Sequence, residues 1–133
     1  MAHYATTLGR NPEATYRQID IAGRTGGADQ HELVALLYDE LGRALRAVAA
    51  AIDGGNRAVR SEKATRAISI LFALEAGLDF ERGGDLSKTL AGLYRGARAK
   101  VIDASLGDDP RPFIAVATNM AQIAQAWAEV RRG

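Results

Sequence analysis

The residue types that most often carry out chemistry are scarce in this chain. Its histidines are His3 and His31, and it contains no cysteine. A di-metal carboxylate site in a helical protein requires Glu-x-x-His pairs facing inward from two helices. Neither histidine follows a glutamate at that spacing, and His31 is expected to be a surface residue in the first turn of a helix. The sequence therefore predicts no metal site and no cofactor.

Nucleophilic catalysis is not predicted either. A serine nucleophile requires a base within hydrogen-bonding reach. No histidine partner is expected near Ser61, Ser69, Ser87 or Ser105. Residues 82–88, RGGDLSK, faintly resemble a phosphate-binding loop, but they lack the G-x-x-x-x-G-K-[ST] spacing and a preceding strand. A turn between two helices with an aspartate cap is the preferred interpretation, so the chain is predicted not to be an enzyme.

Charge and hydropathy exclude two further classes of partner. The chain has 17 basic and 16 acidic residues, a net charge of +1, which gives no strong electrostatic signature for nucleic acid. Arg95, Arg98 and Lys100 are interpreted as a solvated helix face. No apolar run approaches the roughly 18 residues of a membrane span, and the N-terminus lacks the apolar segment of a signal peptide. We therefore expect a cytoplasmic protein with no membrane insertion.

The first 27 residues differ in composition from the rest. They are polar and glycine-rich, with Pro12 and a glycine-containing run at residues 23–27. This composition predicts a flexible N-terminal arm and joint over residues 1–27. Tyr16 and Ile19 are the one amphipathic feature of the arm, consistent with a short helical turn that docks. Residues 28–133 are expected to form the folded domain.

Apolar residues recur at helical spacing four times in residues 28–133. The first helix is expected to begin at a capping box formed by Asp29 and Glu32 and to end at the glycines near residue 54. The second is expected over residues 59–80, ending at Gly83 and Gly84, and the third over residues 85–106. The fourth carries Phe113 through Trp127, with Trp127 expected in the core. The inward stripe expected for the third helix is Leu86, Leu90, Leu93, Ala97, Val101 and Ala104.

The connections between these helices are short, which makes sequential helices antiparallel. The predicted fold is therefore all-α, an antiparallel up-down four-helix bundle. Two of its helices carry more apolar residues than one core stripe requires, since Leu36 lies off the stripe of the first helix and apolar residues nearly encircle the second at residues 68–74. The N-terminal arm, a second copy of the chain or a foreign helix could cover the surplus. A wide core stripe with single exposed apolar residues explains it equally well.

Motifs in a fixed order give the chain a resemblance to a known family. The stretch Leu78 and Asp79, followed by the glycine pair and by Asp85 and Leu86, is one of them. The full set is Asn11-Pro12 with Tyr16-Arg17-Gln18, the run HELVALLYD at residues 31–39, Ala51-Ile52-Asp53-Gly54, LDFERGGDL at residues 78–86, Leu90 with Leu93-Tyr94, and Ala126-Trp127. In this order and spacing the chain resembles the FliS flagellin export chaperones over roughly residues 11–131.

The resemblance also has departures. The family usually has Ser-Pro where Asp29 and Gln30 stand, and aspartate still serves as a helix cap. A family tyrosine is replaced by Gly96, which lowers helix propensity by about 1 kcal/mol relative to alanine. The family's Ala-Asn is Ala104 and Ser105 here. These departures concern partner specificity more than the fold.

The resemblance implies a function and a surface. FliS-like proteins are cytoplasmic helical bundles that bind the disordered C-terminal segment of flagellin, prevent its premature polymerisation and escort it to the flagellar type III export gate. On that basis the partner-binding residues are expected to be Leu36, Ile70, Leu78, Leu86, Leu90, Leu93 and Tyr94, although stripe position assigns some of them to the core. Tyr16 and Ile19 of the arm are expected to cover a groove until flagellin displaces them. The alternative hypothesis is a self-associating structural or adaptor bundle, which forms a homodimer without any partner.

Overall fold

The computed structural model describes residues 30–132. Four α-helices follow one another: α1 (Gln30–Gly54), α2 (Arg57–Ala76), α3 (Phe80–Ala104) and α4 (Arg111–Arg132). No strand occurs within these residues. The four helices expected from apolar periodicity are confirmed. The expected arm over residues 1–27 lies outside the described residues, as do Tyr16 and Ile19 within it.

The helices form a closed ring of neighbours. Short connections at residues 55–56, 77–79 and 105–110 return the chain after each helix. α1 packs against α2 and α4, and α3 packs against α2 and less extensively against α4. This arrangement is the antiparallel up-down four-helix bundle that the sequence predicts. Its least closed side lies between α3 and α4.

The core lies between all four helices. Its largest fully buried side chains include Phe113 from α4, Leu41 and Leu45 from α1, and Ile70 from α2. α3 contributes mainly small residues and Tyr94. Burial of these apolar side chains is the main stabilising contribution to the bundle.

α1 ends at Gly54, where the glycines of this stretch predicted its end. Gly55 adopts a φ of 71°, a left-handed conformation that glycine reaches without steric cost. Asn56 follows with extended backbone, and its Oδ1 accepts a hydrogen bond from the Val59 amide at 3.1 Å. This is an N-cap, which satisfies one of the free amides at the start of α2.

The connection between α2 and α3 lies earlier than expected. α2 ends at Ala76, and the chain is non-helical only at residues 77–79. The cap of α3 is Asp79, whose Oδ1 accepts from the amides of Glu81 and Arg82, each at 3.1 Å. The prediction that the glycine pair separates the helices was therefore wrong, because Asp79 caps a new helix before the pair is reached.

The glycine pair instead produces a kink inside α3. Gly84 has φ 51° and ψ −123°, backbone angles that residues with a Cβ rarely adopt. At Gly83, an added Cβ would overlap the Ser87 hydroxyl. That hydroxyl is buried and donates a hydrogen bond to the Asp79 carbonyl oxygen at 2.9 Å. Both glycines are therefore required by the local geometry, one for its conformation and the other for space.

His31 at the start of α1 and Trp127 near the end of α4 join these two helices at one end of the bundle. The His31 ring stacks on Trp127 with ring centroids 4.5 Å apart, and its Nε2 donates to the Trp127 carbonyl oxygen at 2.9 Å. Trp127 Nε1 donates in return to the His31 carbonyl oxygen at 3.2 Å. His31 is therefore half-buried rather than a free surface residue, and Trp127 packs at the edge of the core rather than inside it.

At the opposite end, Arg60 of α2 holds the connection between α3 and α4. Its guanidinium donates to the Gly107 carbonyl oxygen, to the Ser105 carbonyl oxygen and to Asp108 Oδ1. These carbonyl groups follow the end of α3 and have no partner within a helix. Arg60 therefore satisfies the backbone at the start of the loop that leads into α4.

Candidate functional site

The buried face of α3 is rotated relative to the expected one. The buried residues of this helix are Ser87, Ala91, Tyr94, Ala97 and Val101. Ala97 and Val101 were expected there, whereas Leu86 and Leu93 are 64% and 45% exposed. The expectation that these two leucines face inward was wrong, because small side chains at neighbouring positions let α3 pack closely on the bundle. As a result, α3 presents two leucines to solvent.

The seven residues expected to bind a partner fall into three groups. The exposed residues are Leu86 and Leu93, the half-buried ones are Leu36, Leu78 and Leu90, and the buried ones are Ile70 and Tyr94. Leu78 and Leu90 pack against the core cluster. The structure therefore brings the exposed leucines together on one helix and divides the remaining residues between the core and its edge.

Ile70 and Tyr94 do not form part of an outer face. Ile70 is fully buried, and Tyr94 is 2% exposed. The Tyr94 hydroxyl shares a hydrogen bond of 2.5 Å with the Tyr38 hydroxyl of α1, which supplies the polar partner that a buried phenol requires. Tyr94 lies three residues from both Ala91 and Ala97, and this spacing is the sequence signal for its inward position.

Because Tyr94 is buried, the free energy of unfolding is expected to decrease at alkaline pH. Burial disfavours the phenolate and raises the pKa of Tyr94 well above its usual value near 10, with Tyr38 acting in the same direction. The folded protein therefore retains this proton at pH values where the unfolded chain loses it. The contribution of the protonated Tyr94 to the free energy of unfolding is complete below pH 10. Above pH 10 it decreases by about 1.4 kcal/mol per pH unit.

Tyr94→Phe should flatten this decrease. We expect urea unfolding, measured at several pH values above 10, to give a less steep loss of unfolding free energy for Tyr94→Phe than for the unmodified chain. Lysine titration affects both proteins equally and cancels in the comparison. Equal slopes would contradict a buried, protonated Tyr94.

A groove separates α3 from α4 on the least closed side of the bundle. It has a volume of about 330 Å³. Its apolar lining comes from Leu93 and Ala97 of α3 and from Val116, Met120 and Ile123 of α4. Gly92 and Gly96 also border the groove, and Lys100 lies at one end of it. The sequence predictions missed this groove, and two glycines four residues apart inside a helix are the signal that could have revealed it.

The α4 side of this groove is uncharged. Residues 112–128 contain no acidic or basic side chain, although 25% of the chain is charged. The exposed positions of this stretch include Ile114, Asn119 and Gln122. This uncharged stretch lies beside the exposed Leu93, so this side of the described bundle offers an apolar surface to a macromolecular partner.

The basic residues of α3 on the other side are already engaged. Arg95 Nε and Arg98 Nη1 contact the two carboxylate oxygens of Glu75 at 2.6 and 2.8 Å. The Arg98 guanidinium also lies 4.5 Å from the centre of the Phe72 ring, a cation–π contact. Two of the three residues of the basic cluster thus stabilise the α2–α3 pair, and only Lys100 faces the groove.

The described helices contain neither a metal-binding cluster nor a membrane span. Within residues 30–132, no group of three or more histidine, cysteine or acidic side chains lies close enough to bind a metal ion. None of the four described helices is long and apolar enough to cross a membrane. The groove with its flanking leucines is therefore the candidate site, and its chemistry is that of a binding surface.

A family model described as flagellar protein FliS matches residues 12–133. The chain belongs to the FliS family. The resemblance found in the motifs from Asn11 onward is therefore confirmed. The match includes residues 78–86 around the α2–α3 connection.

Curated FliS relatives match over most of their own length. The flagellar secretion chaperone FliS of Salmonella typhimurium is 28% identical over 116 residues, which cover 86% of each chain. That of Vibrio cholerae is 27% identical over 115 residues, covering 86% of this chain and 85% of the relative. The flagellar secretion chaperone FliSB of Pseudomonas aeruginosa is 29% identical over 115 residues, covering 84% and 89%. The FliS relatives are thus named as secretion chaperones of the flagellum.

Proposed function

We propose that this chain is a cytoplasmic flagellar secretion chaperone whose client is the C-terminal segment of flagellin. Binding prevents premature polymerisation of the client and escorts it to the flagellar type III export gate. The observation that carries the proposal is the outward position of Leu86 and Leu93 on α3, with Leu93 lining a groove whose α4 side is uncharged, in a chain whose relatives are named flagellar secretion chaperones.

The surface suits a client that folds on binding. A disordered segment that becomes helical can bury roughly 1,000–3,000 Å² of surface, while the cost of ordering it keeps the net affinity moderate. Moderate affinity allows a chaperone to release its client. Leu86, Leu93 and the accessible parts of Leu36, Leu78 and Leu90 contact the client in this proposal. Ile70 and Tyr94 support that surface from within the core.

Calorimetric titration with a peptide of the C-terminal segment of flagellin from the same organism tests the proposal. We expect stoichiometric binding, a negative heat-capacity change and a gain of helicity in circular dichroism. Leu93→Asp should weaken binding at least about tenfold, because it places a charge in an apolar contact. Ile102→Asp is the matched control, since Ile102 lies on the opposite side of α3 and has a similar exposure of 49%.

Two results would contradict the proposal. One is an absence of binding at high micromolar concentration, and the other is equal weakening by Leu93→Asp and Ile102→Asp. The titration should also use a chain without residues 1–27, because we propose that Tyr16 and Ile19 compete with the client for this surface. Affinity should then be unchanged or higher, and a loss of affinity with intact helicity would exclude competition by the arm.

A self-associating adaptor protein is the second candidate function, because the same exposed leucines fit another copy of the chain. It becomes the preferred interpretation if the peptide does not bind and the chain self-associates.

A further inference from the structure

A second groove lies between α2 and the end of α3, away from the proposed client surface. It has a volume of about 570 Å³. α2 lines it with Arg57, Ser61, Thr65 and Ile68, which recur three or four residues apart and therefore share one side of the helix. Leu106 lines it from the connection that follows α3. The groove therefore combines apolar side chains, hydroxyl groups and a positive charge.

Large apolar side chains extend this groove along the bundle. Leu106 is 85% exposed, Ile102 is 49% exposed, and Phe72, four residues after Ile68 on α2, is 37% exposed. Ile102 follows Arg98 by four residues on the same side of α3, and the Arg98 guanidinium contacts the Phe72 ring. We call the surface defined by Ile68, Phe72, Ile102 and Leu106 the α2–α3 face. Exposed apolar patches of this kind mark sites of protein association.

The α2–α3 face carries a surplus positive charge where α2 begins. Arg57 is exposed and forms no ion pair with any residue in the range 30–132. Asp108 is the only acidic residue among those that line the groove. Its carboxylate pairs with Arg60 at 2.8 Å, so these two charges balance each other. The charge of Arg57 is therefore available to a partner.

A second surplus positive charge lies at the other end of the α2–α3 face. Arg95 and Arg98 both contact the carboxylate of Glu75, so two positive charges face one negative charge. Glu75 lies 18 residues after Arg57, which corresponds to about 27 Å along α2 at 1.5 Å per residue. The exposed apolar side chains of the face thus lie between two surplus positive charges.

We propose that the α2–α3 face binds an amphipathic helix of a protein other than the client, with acidic residues near both ends of that helix. Apolar residues spaced three and four apart along the partner helix contact the face between α2 and α3. Its acidic side chains pair with Arg57 at one end and with Arg95 at the other. A helix of about 18 residues is long enough to reach both charges.

The number of available charges favours a protein partner over a lipid surface or nucleic acid. Polyanionic surfaces are bound by clusters of several basic side chains that are free to contact phosphate groups. Three of the four arginines of this region are already paired with Glu75 or Asp108. The remaining surplus of one charge at each end matches a short acidic helix.

The α2–α3 face and the proposed client surface lie on opposite sides of α3. Leu93 and Ile102 are nine residues apart, which corresponds to about half a rotation around a helix. Client and second partner can therefore bind at the same time, and this consequence rests on the proposed function. A chaperone that carries its client would still recruit the second protein.

Calorimetric titration of the full chain with designed peptides tests the proposal. The probe is a synthetic peptide of about 18 residues with leucines three and four residues apart along one side and glutamates in its first and last turns. A second peptide has lysines in place of the glutamates. We expect the acidic peptide to bind one to one with a dissociation constant of roughly 10–500 μM, and the basic peptide to bind at least about tenfold more weakly.

Substitutions in the chain locate the binding surface. Arg57→Glu should weaken binding of the acidic peptide at least about fivefold and strengthen binding of the basic peptide, because it reverses the charge at one end of the face. Arg46→Glu is the matched control, since it makes the same change of net charge at an exposed position of α1. Ile102→Asp should weaken binding at least about tenfold, whereas Leu93→Asp should leave it unchanged.

Four results would overturn the proposal. The first is an absence of binding up to about 1 mM acidic peptide. The second is equal weakening by Arg57→Glu and Arg46→Glu, which indicates attraction by net charge alone. The third is loss of binding with Leu93→Asp but not with Ile102→Asp. The fourth is sedimentation of the chain with vesicles that contain phosphatidylglycerol, abolished by Arg57→Glu, which would assign the face to a membrane surface.

A titration with both kinds of peptide separates this proposal from the proposed function. The chain saturated with the acidic peptide should bind the flagellin peptide with unchanged affinity. Competition between the two peptides would overturn the assignment of separate surfaces. Failure of the flagellin peptide to bind, while the acidic peptide binds as expected, would overturn the proposed function and leave the α2–α3 face as a binding site.

Discussion

Replacing Phe113 with alanine is expected to lower the free energy of unfolding by about 3–5 kcal/mol. Phe113 is fully buried near the start of α4, where the core receives side chains from the other helices. Removing the ring costs its transfer free energy and leaves a cavity that the surrounding helices only partly fill. Domains of this kind are usually stable by about 5–15 kcal/mol in total, so the loss is a large fraction of that value.

The adjacent residue supplies the control. Ile114→Ala removes a similar apolar side chain from the same turn of α4, but Ile114 is 43% exposed. Its replacement should change the unfolding free energy by no more than about 1 kcal/mol. Urea unfolding followed by circular dichroism measures both variants. Similar losses for the two variants would contradict the assigned orientation of α4.

The second large effect is expected at the kink of α3. Gly84→Ala should destabilise the protein by about 1–3 kcal/mol, because alanine cannot adopt φ 51° and ψ −123° without strain. Gly83→Ala should cost a similar amount, because the new Cβ displaces the buried Ser87 hydroxyl from the Asp79 carbonyl oxygen. Gly96→Ala, on the same helix, should instead stabilise the protein by up to about 1 kcal/mol, because its Cβ enters open space.

A double-mutant cycle distinguishes the steric requirement at Gly83 from the backbone requirement at Gly84. Ser87→Ala removes the hydroxyl that Gly83→Ala would displace, so the two changes together should cost less than the sum of their separate effects. No such coupling is expected between Ser87→Ala and Gly84→Ala. Similar stabilisation by alanine at positions 83, 84 and 96 would instead show that α3 is a continuous helix through the glycine pair.

The number, type and order of the helices could be predicted because they depend on signals within one helix. Leucines recurring three and four residues apart fix α1. The glycines near residue 54 end α1 as expected. The family resemblance was likewise predictable, because it rests on short motifs whose order is visible in the sequence.

The orientation of α3 could not be predicted in the same way. Its leucines define a stripe that includes Leu86 and Leu93, but the helix buries Ser87 and Tyr94 instead. Which stripe is buried depends on how closely a helix can approach its neighbours. That distance is set by small residues and by the hydroxyl partner that Tyr38 supplies from α1. The start of α3 was also predicted wrongly. Asp79 and the glycine pair are both signals for a helix boundary, they lie within a few residues of each other, and the sequence alone does not show which of them is used.

The stacking of His31 on Trp127 has a spectroscopic consequence. Trp127 is the single tryptophan of the chain, so all tryptophan emission comes from the junction between the beginning of α1 and the end of α4. Any ligand or variant that changes the packing of His31 on the indole would alter the environment of this one fluorophore. The intensity and wavelength of its emission therefore report on the contact between α1 and α4 without an added label.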